Sequence, residues 1–320
     1  MRAFFHPDYV APLGPGHRFP MSKYKATRDA LVADGAPLRW AEPQAAAEEV
    51  LLAAHTPQWV ASVLAAKVSP AAERRIGFPV TAAVALRSRL SVGGTLAAAE
   101  AALSDGLALT LAGGSHHAMP DFGAGYCVFN DLGVAALAQA RAGRRVLVVD
   151  LDVHQGDGTA VITAGHPGIT TFSIHCDKNF PVRKARSSCD VALPPGIGDG
   201  PYLDALMAEL PRLIDAARPD LVLVQAGVDP HCDDRLGHLE LTDAGLLARD
   251  TMVRQALVRR GIPFAVTLGG GYDADVPRLG RRHARTLLTL AGLAVRQGLW
   301  DRDCSPFCRE NALGPGLGEA

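Results

Sequence analysis

Short, nearly unbroken apolar runs recur along this chain, each separated from the next by a longer stretch rich in Ala and Leu. The runs predict strands over residues 3–6, 107–112, 146–152, 169–175, 221–226 and 264–269. The intervening stretches predict helices over 23–34, 44–54, 58–66, 94–104, 131–142, 202–217, 243–260 and 275–296. Thr242 before Asp243 makes an N-cap, and Gly261 followed by Pro263 makes a helix stop. Strands apolar on both faces must be covered on both faces. The pattern therefore predicts an α/β fold with a central, mostly parallel sheet between two helical layers. No internal repeat or low-complexity linker divides the chain, so one domain is expected over residues 1–300. A tail over 301–320 is expected to be partly disordered. The Pro/Gly segment 194–201 reads as a surface loop.

In sheets of this kind, reactive residues gather just past the carboxyl ends of the strands. Past the run 107–112 comes Gly113-Gly114-Ser115-His116-His117. The run beginning at Val146 ends in Asp150, Asp152 and His154, with Asp157 close behind. Asp229 follows the run 221–226, and Gly269-Gly270-Gly271-Tyr272 follows the last run. Four separate strand ends thus bring His, Asp and Tyr to one edge.

On an extended backbone, residues i and i+2 point to the same side, so Asp152 and His154 can grip one ion together. Asp229 from a neighbouring strand end supplies a third ligand and leaves a position open, as catalytic zinc sites require. Two Asp and one His form an oxygen-rich set that Fe²⁺ or Co²⁺ also fits. A single Asp or His at a strand end is commonly a cap or loop residue. The D-x-D-x-H run followed by Gly-Asp-Gly is what points to metal.

His116 and His117 follow two glycines, whose freedom allows a turn that aims both rings at one pocket. Asp150 and Asp157 are candidates to fix the ring tautomers, giving two His–Asp dyads. One histidine would take a proton from metal-bound water and return it to a leaving amine. The other would supply positive charge or a hydrogen bond. Tyr272 would hydrogen-bond a substrate carbonyl and, with the metal, stabilise a tetrahedral oxyanion. The glycines before it, Gly270 among them, let backbone approach the ligand.

The net charge of −1 removes any general attraction to nucleic acid or to acidic membranes. Two local basic clusters, Lys178/Arg183/Lys184/Arg186 and Arg281/Arg282/Arg285, read as solvated faces. The first lies near the chemistry and is kept as a rim contact. No apolar run is long enough to span a bilayer, and the N-terminus lacks the apolar core of a signal peptide. Six cysteines without scaffold spacing read as reduced thiols in a cytoplasmic protein, and the C-x3-C of Cys304 and Cys308 is a weak metal motif. An abundance of Ala, with Arg far outnumbering Lys, suggests a GC-rich, bacterial genome.

Taken together, these residues resemble the histone deacetylase family, of the arginase–deacetylase fold. The matching segments are GGSHHA (113–118), GYCVFND (125–131), VDLDVHQGDGT (149–159), FSIH (172–175), AGVDPHCDDRLG (226–237) and LGGGY (268–272). They occur in the family's order, and the similarity runs from about Phe5 through Arg296. PGHRFPMSKY (15–24) and HTPQWV (55–60) look closest to the class IV-like branch with its bacterial members. The resemblance implies a zinc-dependent hydrolase of N-acyl amides, with Asp152, His154 and Asp229 as zinc ligands. It implies His117 as general base and acid, paired with Asp157, and His116 as its electrostatic partner, paired with Asp150. Tyr272 would polarise the carbonyl. Gly125 and Tyr126 would line a tunnel opposite Phe180, with Gly270 also in the substrate-binding set, and Arg18 would lie near an exit for the acid product. A structural K⁺ beside the zinc would involve Asp150, Asp152, His154 and Ser173. Some class IV members carry Asn at the position of Asp157, so here the second dyad is complete.

The implied substrate is an acyl-lysine peptide or protein, with acetylpolyamines or other small amides as the alternative. A two-manganese ureohydrolase would need a second carboxylate-rich run where this chain has Val228-Asp229-Pro230-His231. A silent binding protein on the same fold would be expected to lack a ligand, a dyad member or the Tyr. A nicotinamide enzyme is disfavoured because no strand is followed by G-x-G-x-x-G. Oligomeric state is not legible in the sequence.

Overall fold

The computed structural model describes residues 1–14 and 16–300. The predicted tail over 301–320, with Cys304 and Cys308, lies outside the described residues. The chain runs through β1 (Arg2–Phe4), α1 (Lys23–Ala33), β2 (Arg39–Ala41), α2 (Glu48–Leu51), α3 (Pro57–Leu64) and α4 (Pro70–Ile76). It continues with α5 (Ala82–Asp105), β3 (Leu107–Thr110), α6 (Asp131–Arg141), β4 (Val146–Asp150), α7 (Asp157–Thr163) and β5 (Ile169–Cys176). The last third holds β6 (Cys189–Leu193), α8 (Asp199–Ala217), β7 (Leu221–Gln225), α9 (Asp243–Val258), β8 (Phe264–Thr267) and α10 (Val276–Ala291).

All eight strands form one parallel sheet, in the order β2-β1-β3-β8-β7-β4-β5-β6. Every residue of β4 (VLVVD) and β7 (LVLVQ) is buried, as strands covered on both faces require. One helical set runs α5, α6, α7, and the other runs α8, α9, α10, α1, with neighbours in contact. Late in the chain, β7 and β8 fill the gap between β3 and β4. The four chemistry-bearing strands therefore lie side by side.

The structure moves several predicted boundaries. The helix expected from Gly94 begins at Ala82 and runs straight through Gly93 and Gly94. A Cβ on Gly93 would sit 1.8 Å from the Gln44 carbonyl oxygen, and one on Gly94 would sit 2.2 Å from the Tyr9 hydroxyl. These glycines serve close packing rather than a helix start. The helix expected over 44–54 shrinks to Glu48–Leu51, because Ala46 instead gives its N–H to the Arg89 carbonyl of α5. The last helix stops at Ala291, where Gly292 takes the left-handed C-cap conformation. Strands β2 and β6, short and flanked by polar residues, were not expected.

Two compositional readings also change. Arg282 and Arg285 are buried, 3% and 4% exposed, and are not a solvated face. Arg282 meets Asp243, Asp233 and Asp273, and Arg285 also bonds Asp243, so the cluster is an internal ion network. Cys232 is disulfide-bonded, whereas Cys127, Cys176 and Cys189 are free, which corrects the reading of six reduced thiols. An isolated cysteine offers no spacing from which pairing can be read. Among the described residues no helix is long and apolar enough to cross a membrane.

Candidate active site

The histidine pair, Asp152, His154, Asp229 and Tyr272 sit within a few residues of a strand's end, where the chain leaves the sheet. After β3, Gly113 and Gly114 take positive φ, and the turn is clamped by Asp131 at the start of α6. The Asp131 carboxylate accepts the N–H of Gly114 at 3.1 Å and of Ser115 at 2.7 Å. The capping residue of the same helix, Asn130, donates to the carbonyls of His116 and Ala118 at 3.2 and 3.1 Å. One helix N-terminus thus fixes the backbone of the histidine pair.

The two rings lie 4.0 Å apart, each with its own carboxylate. His116 Nδ1 is 2.6 Å from Asp150, and His117 Nδ1 is 2.7 Å from Asp157. Their surroundings drive them apart. Burial, the neighbouring His116 and His154 charges prevail over Asp157 and lower His117 to about 4, so its imidazole is neutral. Burial also opposes a charge on His116, but Asp150 and Asp152 outweigh it and raise the group to about 9. A neutral ring beside a charged one gives the pair two distinct roles.

After β4 and β7 the carboxylates of Asp152 and Asp229 meet the ring of His154. His154 Nδ1 lies 2.9 Å from Asp152 and 3.1 Å from Asp229, and ligand atoms of all three fall within 4.8 Å of one another. All three side chains are buried. Burial and the adjacent Asp152 charge push the Asp229 carboxyl up to about 8. Burial acts likewise on Asp152, yet His116 and His154 hold it well below the usual carboxylate range. Two carboxyl groups this close coexist when one of them keeps its proton or when positive charge lies between them, on His154 or on a metal ion. The donor set of two carboxylates and one imidazole fits a divalent cation. A second cluster, His231, Cys232 and Asp233, offers no thiolate because Cys232 is in a disulfide.

Further groups orient these donors. Gln225, the last residue of β7, donates to Asp152 at 2.6 Å, and the Gly270 N–H donates to the same oxygen at 2.7 Å. A Cβ on Gly270 would come within 1.9 Å of Asp229, so this glycine lies hard against the carboxylates. Tyr272 is buried, and its ring lies 6.2 Å from that of His154 and 5.7 Å from that of Tyr126. Its N–H is held by Asp234 at 2.7 Å.

The wall residues flank this floor. A Cβ on Gly125 would be 2.6 Å from the His117 ring and 3.2 Å from that of Phe180. The Phe180 ring stands edge-on to His117 at 4.7 Å. Gly125 and Tyr126 both have positive φ, 52° and 65°, a strained conformation for Tyr126 that two backbone hydrogen bonds to α4 hold in place. The Tyr126 ring packs 5.0 Å from Phe19 and 6.1 Å from Phe78. Ser173 pairs in register with Asp150 across β4 and β5.

Arg18 is exposed at the surface, and the buried cation behind the glycine run is instead Lys23. Its ammonium donates to the carbonyls of Gly269 at 2.6 Å and Gly271 at 3.4 Å, and lies 5.4 Å from the Tyr272 ring centroid. Burial lowers it to about 8 against the pull of Asp229 and Asp152. Sequence reasoning missed Lys23, Asp131 and Gln225. The available signal for Lys23 was its place on the buried stripe of α1, one turn before Thr27 and two before Leu31.

Fold and site together define an α/β protein of the arginase–deacetylase type, with a carboxylate–imidazole centre beyond the strand ends. A family model described as the histone deacetylase domain matches residues 17–287. This chain belongs to the histone deacetylase family. It is 43% identical over 284 residues to an uncharacterized protein of Picosynechococcus, covering 88% of this chain and 95% of that one. A probable deacetylase of Methanothermobacter thermautotrophicus is 33% identical over 221 residues, 64% of this chain and 65% of the relative. A histone deacetylase-like amidohydrolase of Pseudomonas aeruginosa is 34% identical, with coverages of 60% and 56%. The crystal structure of the HDA15 HD domain matches with a TM-score of 0.78 at 22% identity, over 97% of this chain and 91% of that one, which shows the shared fold. Membership supports a hydrolytic role and dependence on a metal.

Proposed function

We propose that this protein is a zinc-dependent deacylase of the class IV-like branch, hydrolysing the N-acyl amide of acyl-lysine. The observation that carries the reading is the convergence of Asp152, His154 and Asp229 beside two complete His–Asp pairs. The three converging residues would hold the cation, for which Fe²⁺ and Co²⁺ remain suitable alternatives. Asp150, Asp152, His154 and Ser173 would hold a structural K⁺. When bound, the divalent ion supplies Lewis acidity toward water and the amide carbonyl.

His117 has its Nδ1 committed to Asp157, which leaves Nε2 to accept a proton from the attacking water and return it to the amine. His116, charged through Asp150, offsets the negative charge that grows on the tetrahedral carbon's oxygen. The Tyr272 hydroxyl donates a hydrogen bond to the same oxygen. Gly125, Tyr126 and Phe180 enclose the alkyl stem of the lysine and keep water from it. A cytoplasmic location belongs to this reading.

The test is a screen of lysine peptides bearing acetyl to myristoyl groups, alongside acetylpolyamines, with zinc loaded and with chelator. Chelator-sensitive release of the acid from at least one acyl-lysine is expected. Turnover confined to polyamines would favour the small-amide reading, and activity indifferent to chelators would refute the metal centre.

A further inference from the structure

The segments that supply the walls of the site also carry exposed basic side chains. The segment 177–188 presses Phe180 against His117 and carries Lys178, Arg183 and Arg186 exposed, with Lys184 half-buried. Helix α4 gives its Arg75 and Ile76 carbonyls to the N–H groups of Gly125 and Tyr126, and its last turn presents exposed Arg74 and Arg75. On the far side, exposed Arg235 donates to the Tyr272 carbonyl at 2.5 Å and to the Arg18 carbonyl at 3.4 Å. Arg18 is exposed as well.

The acids of the same region cancel only part of this charge and leave an excess of three. Across residues 16–19, 73–78, 119–126, 177–188 and 233–237 there are eight Lys or Arg and five Asp or Glu. Asp177 faces Lys178 at 3.4 Å, and Asp233 faces the buried Arg282 at 3.4 Å. Glu73 accepts the Val80 N–H, and Asp234 accepts three N–H groups, those of Leu236, Gly237 and Tyr272. Only Asp121 is both acidic and exposed without such an engagement. Among the described residues Arg74, Arg183 and Arg186 make no ion pair. The positive excess is therefore local, on a chain whose net charge is −1.

An acyl-lysine threading its stem past Phe180 would leave its neighbouring residues lying over these guanidinium groups. At a screening length of about 8 Å in physiological salt, charges at the mouth act on those neighbours and not on distant parts of a partner. We propose that the entrance selects acyl-lysines set among acidic residues of a peptide or protein, and turns away Lys/Arg-rich tails and cationic polyamines. The inference rests on the deacylase reading for its acyl-lysine, while the charge preference stands on the rim alone.

Fluorescent acetyl-lysine peptides with Glu, Gln or Lys in the flanking positions are titrated against the zinc-loaded full chain. Binding is read by anisotropy and turnover is followed separately. The Glu-flanked peptide is expected to bind about tenfold tighter than the Lys-flanked one at low salt, with the gap closing toward about 1 M NaCl. Arg183→Gln and Arg186→Gln, both at exposed unpaired positions, are each expected to narrow the gap two- to threefold, roughly the worth of one rim charge. Equal binding of the three peptides, or preference for the Lys-flanked peptide or acetylspermidine, overturns the proposal. Tighter binding of a single-stranded oligonucleotide of equal charge overturns it too, by showing a nucleic-acid surface. A clear Glu preference without turnover of any peptide supports the charge selection and counts against the deacylase reading.

Discussion

Gly270 shows how little room the centre leaves around its donors. Its N–H reaches Asp152 at 2.7 Å, and any side chain would collide with Asp229. Gly270→Ala is expected to lower metal affinity by about 10–100-fold, the usual cost of disturbing groups that orient metal ligands, as measured by competition with a chromogenic chelator. His117→Ala and Tyr272→Phe act on the other partners of the reaction. Each is expected to cut kcat by roughly 10²–10⁴-fold while bound zinc stays at one per chain, read by metal analysis beside steady-state kinetics. Full activity of Tyr272→Phe would remove the Tyr from the mechanism. At this scale the sequence was most legible where residues come in runs. Asp152 and His154 were expected to pair because alternate residues of an extended chain share a side; the structure brings them together, but over a bend beyond the end of β4. Lys23 and Asp131 stand alone in the sequence, and only the packing of α1 and α6 gives them partners.

The elements were legible to the extent that their period was unbroken. Strands β4 and β7, buried throughout and apolar up to their last residue, fall within the predicted runs, and so does β8. The helix predicted over 94–104 covers only the second half of α5, and the two consecutive glycines inside that helix ordinarily weaken one. Tertiary contact overrides that local preference, since the backbone of Gln44 lies where a side chain would go. Gly93→Ala therefore sets a gain in helix propensity of about 1 kcal/mol against overpacking that costs about 1–3 kcal/mol. A net fall in Tm of a few degrees is expected, and a rise would show that α5 can shift away from Gln44. Short edge strands such as β2, exposed at Arg39 and Trp40, carry too few apolar residues to announce themselves.

At the level of the whole molecule, two sets of buried charges tie distant parts of the chain together. Asp243 at the start of α9 joins Arg282 and Arg285 of α10 with His231 from the loop after β7. A hydrogen bond from His231 and the two guanidinium groups hold its carboxyl well below the usual range despite burial. A depressed folded-state pKa means stability that is present above about pH 4 and lost as pH falls further, through the folded value. Asp243→Asn is expected to cost about 3–5 kcal/mol near neutral pH, because it removes a negative charge shared by two buried guanidinium groups. The gap in denaturant midpoint between variant and wild type should shrink below about pH 4, and a gap unchanged by acid would contradict the assignment. Metal should act globally in the same way: stripping the ion leaves Asp152 and Asp229 crowded together, so Tm should fall on chelation and recover with zinc. Metal analysis is expected to return one zinc per chain, and two would point to the ureohydrolase arrangement.

The lane between β3 and β7 is filled by β8, which is made late. The histidine pair leaves from one neighbour of that lane, Asp229 from the other, and Tyr272 from the inserted strand itself. A ribosome-bound polypeptide still missing this keystone cannot bring the histidine pair, Asp229 and Tyr272 to one sheet edge. On the deacylase reading, a stop before Phe264 is therefore expected to yield an inactive product however well the preceding residues have folded.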